Sequence, residues 1–101
     1  MRLAKSEIAA IKEAARKVWG SQTVVYLFGS RTDDTKKGGD IDLYIQLSAE
    51  PTPEKLILQR AEFLEKLVRT IGEQKIDLLI KTRYNKNLSI IKTAHSTGVE
   101  L

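Results

Sequence analysis

The stretch DIDLYIQL, residues 40–47, constrains this chain more than any other. It alternates: Ile41, Leu43, Ile45 and Leu47 take one side, and Asp40, Asp42, Tyr44 and Gln46 take the other. A period of two marks a β-strand with one face in a core. Strand interiors disfavour aspartate, so two on one face need a reason. Asp40 alone reads as a cap at the end of a loop. Asp42, between Ile41 and Leu43, has no such bland reading. A third aspartate, Asp77, sits in a second strand-like run, KIDLLIK.

The remaining elements arrange themselves around these runs. SEIAAIKEAARKVW spaces Ile8, Ile11, Ala15, Val18 and Trp19 as a helix does, with Ser6 as N-cap, Gly20 as stop and Trp19 as a core anchor. TVVYLF is β-branched and aromatic and predicts a buried strand. RTDDTKKGG is a loop by composition, with Asp33 and Asp34 as turn residues. Thr52 and Pro53 give the N-cap and first position of a second helix. Ile57, Ala61, Leu64 and Val68 form its apolar stripe, which Leu56, Phe63 and Leu67 widen, and Gly72 ends it. LSIIKTAHSTG predicts a short last helix closed by Gly98. The order helix, strand, loop, strand, helix, strand, helix predicts an α/β (α+β) fold. Its simplest form is a small mixed three-stranded sheet with helices packed on one face, leaving the aspartates facing solvent or a ligand. A length of 101 residues makes a single domain, 1–101, the natural expectation.

Composition excludes some chemistries. The chain has no cysteine, so neither a disulfide framework nor a thiolate metal site is available. No apolar run approaches the ~20 residues that span a bilayer, and MRLAKSEIAAIKEAARK lacks the apolar core of a signal peptide. The expectation is a cytoplasmic protein with no membrane partner. A net charge of +4 suits a polyphosphate, nucleic acid or an acidic protein without choosing among them. Lys36 and Lys37 either steer an anion or are simply solvated. RNA as an acceptor is permitted by the charge, but aromatic-rich basic stripes are absent.

Residues two apart on a strand point the same way, with Cα atoms ~6.5 Å apart. Two bare carboxylates so placed repel. A divalent cation removes that conflict; magnesium takes oxygen ligands, commonly one or two carboxylates plus substrate phosphates. Two such ions ~3.5–4 Å apart clamp the attacking and leaving oxygens of a phosphoryl-type displacement. If the Asp77 strand pairs beside residues 40–47, its carboxylate completes a three-acid site. Gly29 and Ser30 follow a strand directly. Glycine lets backbone approach a phosphate closely, and a hydroxyl with local N–H groups holds phosphate oxygens. Tyr44 shares the acids' face, where it either stacks on a base, lines the cleft or packs as an ordinary strand residue. His95, the only histidine, stands off this pattern and reads as a surface or helix-end residue.

FGS followed by DIDLYI, with a further aspartate on a later strand, resembles the nucleotidyltransferase superfamily that includes DNA polymerase β. It is similar in particular to the minimal members, the MNT proteins that act as antitoxins beside HEPN proteins. The pattern G-S-x9-D-x-D matches at Gly29, Ser30, Asp40 and Asp42, and the third acid at Asp77. The resemblance implies a polymerase β-like fold in which Asp40, Asp42 and Asp77 hold Mg2+, as a two-metal site. Asp77 would also orient or deprotonate an acceptor hydroxyl. Gly29 and Ser30 would cradle the triphosphate, and Arg31 would pair with phosphate oxygens. Some members carry a glycine a few residues after the serine and a serine just before the first acid; Asp34 and Gly39 stand near those places here. The resemblance further implies ATP as donor and a tyrosine of a small helical HEPN toxin as acceptor. The alternative is a non-catalytic antitoxin that neutralises its partner by direct complex formation.

Overall fold

Helix α1, Lys5–Trp19, begins two residues earlier than Ser6 would have it. The capping carboxylate is that of Glu7, whose Oε1 accepts the Ala4 N–H at 3.0 Å, while Leu3 packs on the core just ahead of the helix. Ser6 therefore lies inside the first turn and is exposed. Ile11, Ala14 and Ala15 form the buried stripe, and Gly20 caps the end, its N–H donating to Arg16 O at 2.8 Å. Trp19 is the expected anchor: its ring lies 5.1 Å from that of Phe63, and its Nε1–H donates to Gln59 Oε1 at 3.0 Å.

The computed structural model describes residues 3–29 and 40–101. After α1 come β1 (Val24–Phe28), β2 (Ile41–Gln46), α2 (Pro53–Ile71), β3 (Ile76–Ile80), α3 (Ser89–Thr97) and β4 (Val99–Glu100). The sheet has four strands in the order β3-β2-β1-β4, where the sequence led to an expectation of three. β1 runs antiparallel to β2 and to β4, and β2 runs parallel to β3. A parallel pair needs a crossover, and α2 supplies it. Thr52 caps α2 through its Oγ1, which accepts Lys55 N–H at 3.3 Å, with Pro53 in the first turn and Gly72 at the end.

One face of the sheet carries Val25, Leu27, Ile41, Leu43, Ile45, Leu78 and Ile80 against Ile11, Ala14 and Ala15 of α1 and Phe63 and Leu67 of α2. The stripe of α2 that reaches this core is rotated from the one its periodicity suggests. Phe63 and Leu67 are fully buried with Leu56 packed beside them; of the expected stripe Leu64 also packs on the core, whereas Ile57 is 69% exposed, Val68 38%, and Ala61 is exposed.

The helices do not all lie on one face. Tyr44 is fully buried beneath Ile91 and Ala94 of α3, with Tyr26, Phe28 and Leu79 packed around them. Tyr44 pairs in register with Tyr26 and Leu79, and Asp42 with Phe28 and Asp77. Residues two apart share a face, so this cluster and the acids are on the same side of the sheet. That side is apolar over much of its length, and burial of its aromatic rings draws α3 over it. β3 is the outer strand, and two of its carbonyls are held by side chains: Leu78 O accepts from Arg60 at 2.8 Å and Ile80 O from Asn85 at 3.0 Å. Among the described residues, no helix is long and apolar enough to cross a membrane.

Candidate active site

The acids sit where three strand ends meet. Asp42 is the second residue of β2 and Asp77 the second of β3, and the parallel register sets them directly opposite each other. Neighbouring strands are ~4.8 Å apart, so the two side chains rise side by side. On its other flank Asp42 pairs with Phe28 at the end of β1. Asp42 is half-buried and Asp77 exposed.

This setting acts on the Asp42 proton. Burial pushes its carboxyl above the ordinary range, and a hydrogen bond and negative charge from Asp77 push it further. The charge of Asp40 adds to the effect, and that of Lys75 opposes it. Two hard oxygen donors held together against their mutual repulsion suit a divalent cation, which relieves that repulsion.

Gly29 determines where the Asp42 carboxylate lies. It ends β1 with φ +78°, a backbone conformation that favours glycine. A Cβ at this position would run into Asp42 Oδ2, and it would meet Asp42 Cγ at 3.0 Å. The absence of a side chain thus leaves the space the carboxylate occupies.

Asp40 is placed differently. Ile41 N–H donates to Lys75 O at 3.0 Å, which carries the β2–β3 ladder one step beyond the acids. There the Lys75 ammonium lies 3.5 Å from Asp40 Oδ2. Asp40 is close enough for its charge to act on Asp42. Even so, among the described residues no three acidic, histidine or cysteine side chains gather into one cluster that could hold a metal ion. The structure brings together Asp42 and Asp77, and turns Asp40 to Lys75. Lys75 escaped the sequence reading, although it stands two residues before Asp77 and so on the same face of the strand.

Ser30 and Arg31, expected at the phosphates, lie outside the described residues, as do Asp33, Asp34, Lys36, Lys37 and Gly39. Tyr44 resolves to packing: it is fully buried, its ring 5.6 Å from Tyr26, and its hydroxyl accepts from Gln46 Nε2 at 3.2 Å. His95 is exposed in the last turn of α3. Its Nδ1 lies 2.8 Å from Gln46 Nε2, and its ring stands edge-on to Tyr26 and Tyr44 rather than beside the acids. A concavity of about 630 Å³ between α1 and the β1–β4 edge, lined in part by Lys12, Arg16 and Thr23, includes none of the three acids.

The described part of the site is thus a pair of strand aspartates, Asp42 and Asp77, beside a glycine that closes the preceding strand. Among known families, the model described as Nucleotidyltransferase domain matches residues 8–99. The chain belongs to that family, within the polymerase β-like superfamily, and its family-level activity is nucleotidyl transfer. No curated protein matches the chain.

Proposed function

We propose that this chain transfers AMP from ATP to a hydroxyl, that the acceptor is a tyrosine of a small helical HEPN-type partner, and that the transfer silences the partner. The observation that carries the chemistry is the register of β2 on β3, which sets Asp42 against Asp77 beside a glycine that leaves room for the Asp42 carboxylate. Donor, acceptor and partner rest on the resemblance of FGS…DID to the minimal nucleotidyltransferases.

Asp42 and Asp77, joined by Asp40, would hold the divalent cations. Bound there, Mg2+ supplies charge neutralisation for the triphosphate and polarisation of its α-phosphorus. Asp77, the most exposed of the three, orients the acceptor hydroxyl and takes its proton. The hydroxyl oxygen bonds to the α-phosphorus, the bond from that phosphorus to the bridging oxygen breaks, and pyrophosphate leaves. Positioning supplies much of the rate in such transfers. The partner's own surface, by holding the acceptor, provides it.

The test is intact-mass spectrometry of the partner after incubation with this chain, ATP and Mg2+. The expected result is a gain of one or more AMP units that Asp77→Asn abolishes. A partner inhibited equally by wild type and by the variant lacking all three acids, with no mass change in either case, would replace transfer with neutralisation by complex formation.

A further inference from the structure

The four side chains at the start of β2 and β3 form two rungs of one ladder. Asp42 faces Asp77 on one rung. Asp40 faces Lys75 on the next, Nζ to Oδ2 at 3.5 Å. Three carboxylates and one ammonium thus occupy adjacent positions on one face. Only two of the carboxylates associate with each other.

The pairing has a consequence for any cation entering beside Asp42. An ammonium and a divalent cation a few ångströms apart repel strongly when partly shielded from water. The oxygen that Lys75 engages is one that Asp40 would offer as a ligand. The pair is also exposed, Lys75 by 72% and Asp40 by 40%, and exposed pairs are weak enough to exchange readily. Lys75 immediately precedes the first residue of β3, and its backbone is held by the Ile41 hydrogen bond while its long, exposed side chain can swing. The charge of Lys75 reaches Asp42 as well.

We infer that Lys75 is a resident counter-cation, which holds Asp40 off the Asp42–Asp77 pair and surrenders it when a divalent cation binds. This rests on the reading that the three acids are metal ligands. Lys75 is a positioning residue: it acts through Asp40 and sets the affinity and selectivity of the site. A monovalent ion gains too little from the two remaining carboxylates to displace it. A divalent ion recruits Asp40 and drives the lysine out. The site therefore discriminates by charge before any nucleotide is present.

The experiment is calorimetric titration of the full chain with Mn2+ alone, without nucleotide. It uses wild type, Lys75→Met, Asp40→Asn, the double variant, and Asp42→Asn as the site control, with thermal midpoints confirming folding. Lys75→Met should tighten Mn2+ binding about fivefold when Asp40 is present, the scale of an exposed ion pair. In the Asp40→Asn background the gain should fall below about twofold, and Lys75→Arg should retain wild-type affinity. Equal tightening in both backgrounds would reduce Lys75 to general surface charge and overturn the inference, as would no tightening at all. Wild-type Mn2+ binding that is absent, or indifferent to Asp42→Asn, would instead remove the metal-site reading on which the inference stands.

Discussion

Gly29→Ala tests the link between backbone and site most directly. Two costs follow from the structure. The first is conformational: at φ +78° an L-residue pays about 1–2 kcal/mol that glycine does not. The second is steric: the new Cβ meets the Asp42 carboxylate, with Cγ at 3.0 Å and Asp42 Cβ at 3.3 Å behind it. Relief requires the carboxylate to swing away, toward the low end of the overpacking range at about 1 kcal/mol because Asp42 is only half-buried. The total is about 2–3 kcal/mol, or a fall of about 10–15 °C in thermal midpoint for a domain of this size. A carboxylate moved by ~1 Å also spoils the site, so Mn2+ affinity should fall at least about tenfold and transfer about a hundredfold. In an Asp42→Ala background the contacts with the carboxylate are removed and only the milder one with Cβ, at 3.3 Å, remains, so a coupling of up to about 1 kcal/mol is expected in the double-mutant cycle. Circular dichroism melts and calorimetry read both quantities. A variant that melts within about 2 °C of wild type, binds Mn2+ equally well and shows no coupling to position 42 would refute the reasoning.

Two further outcomes follow from the same geometry. The folded-state value of Asp42 is raised above its unfolded value of about 3.9. The folded chain therefore binds more protons than the unfolded chain between the two values, and this group's contribution to stability falls as pH rises through that window. Asp42→Asn should melt higher than wild type at neutral pH, lose the advantage near pH 3, and show no transfer; a lower melting point at pH 7 would contradict the repulsion described. Phe63→Ala removes a fully buried ring packed at a tilt against Trp19 and should cost about 3–5 kcal/mol, measured by urea unfolding. A loss under about 1 kcal/mol would show that Phe63 does not anchor α2.

Much of this architecture is legible in the sequence where a pattern has one interpretation. The alternation through DIDLYIQL fixes which residues face the core, and Ile41, Leu43 and Ile45 are indeed fully buried. The same alternation in KIDLLIK places Asp77, and the parallel pairing then puts it beside Asp42. Patterns with two interpretations misled. In α2, Ile57, Ala61, Leu64 and Val68 repeat at helical spacing as regularly as Leu56, Phe63 and Leu67, and only the packing of the sheet decides which stripe goes inward. Tyr26, Phe28, Tyr44 and Leu79 hold the apolar surface that calls for α3, but they are divided among three strands, so no single window reveals it. β4 contributes two residues, too few to give a period. Lys75 is invisible until the register shows it opposite Asp40.

The outer strand also bears on what else this chain can join. An unpaired strand edge is a template on which another chain can add a strand. In β3 that edge is partly closed, since Arg60 and Asn85 occupy the carbonyls of Leu78 and Ile80. At the opposite end, β4 offers only Val99 and Glu100. Among the described residues, both borders of the sheet therefore leave a further strand little backbone on which to add. A neighbour at these borders is met through side chains more than through backbone, and Asp77, at the start of β3, is among the side chains that border presents.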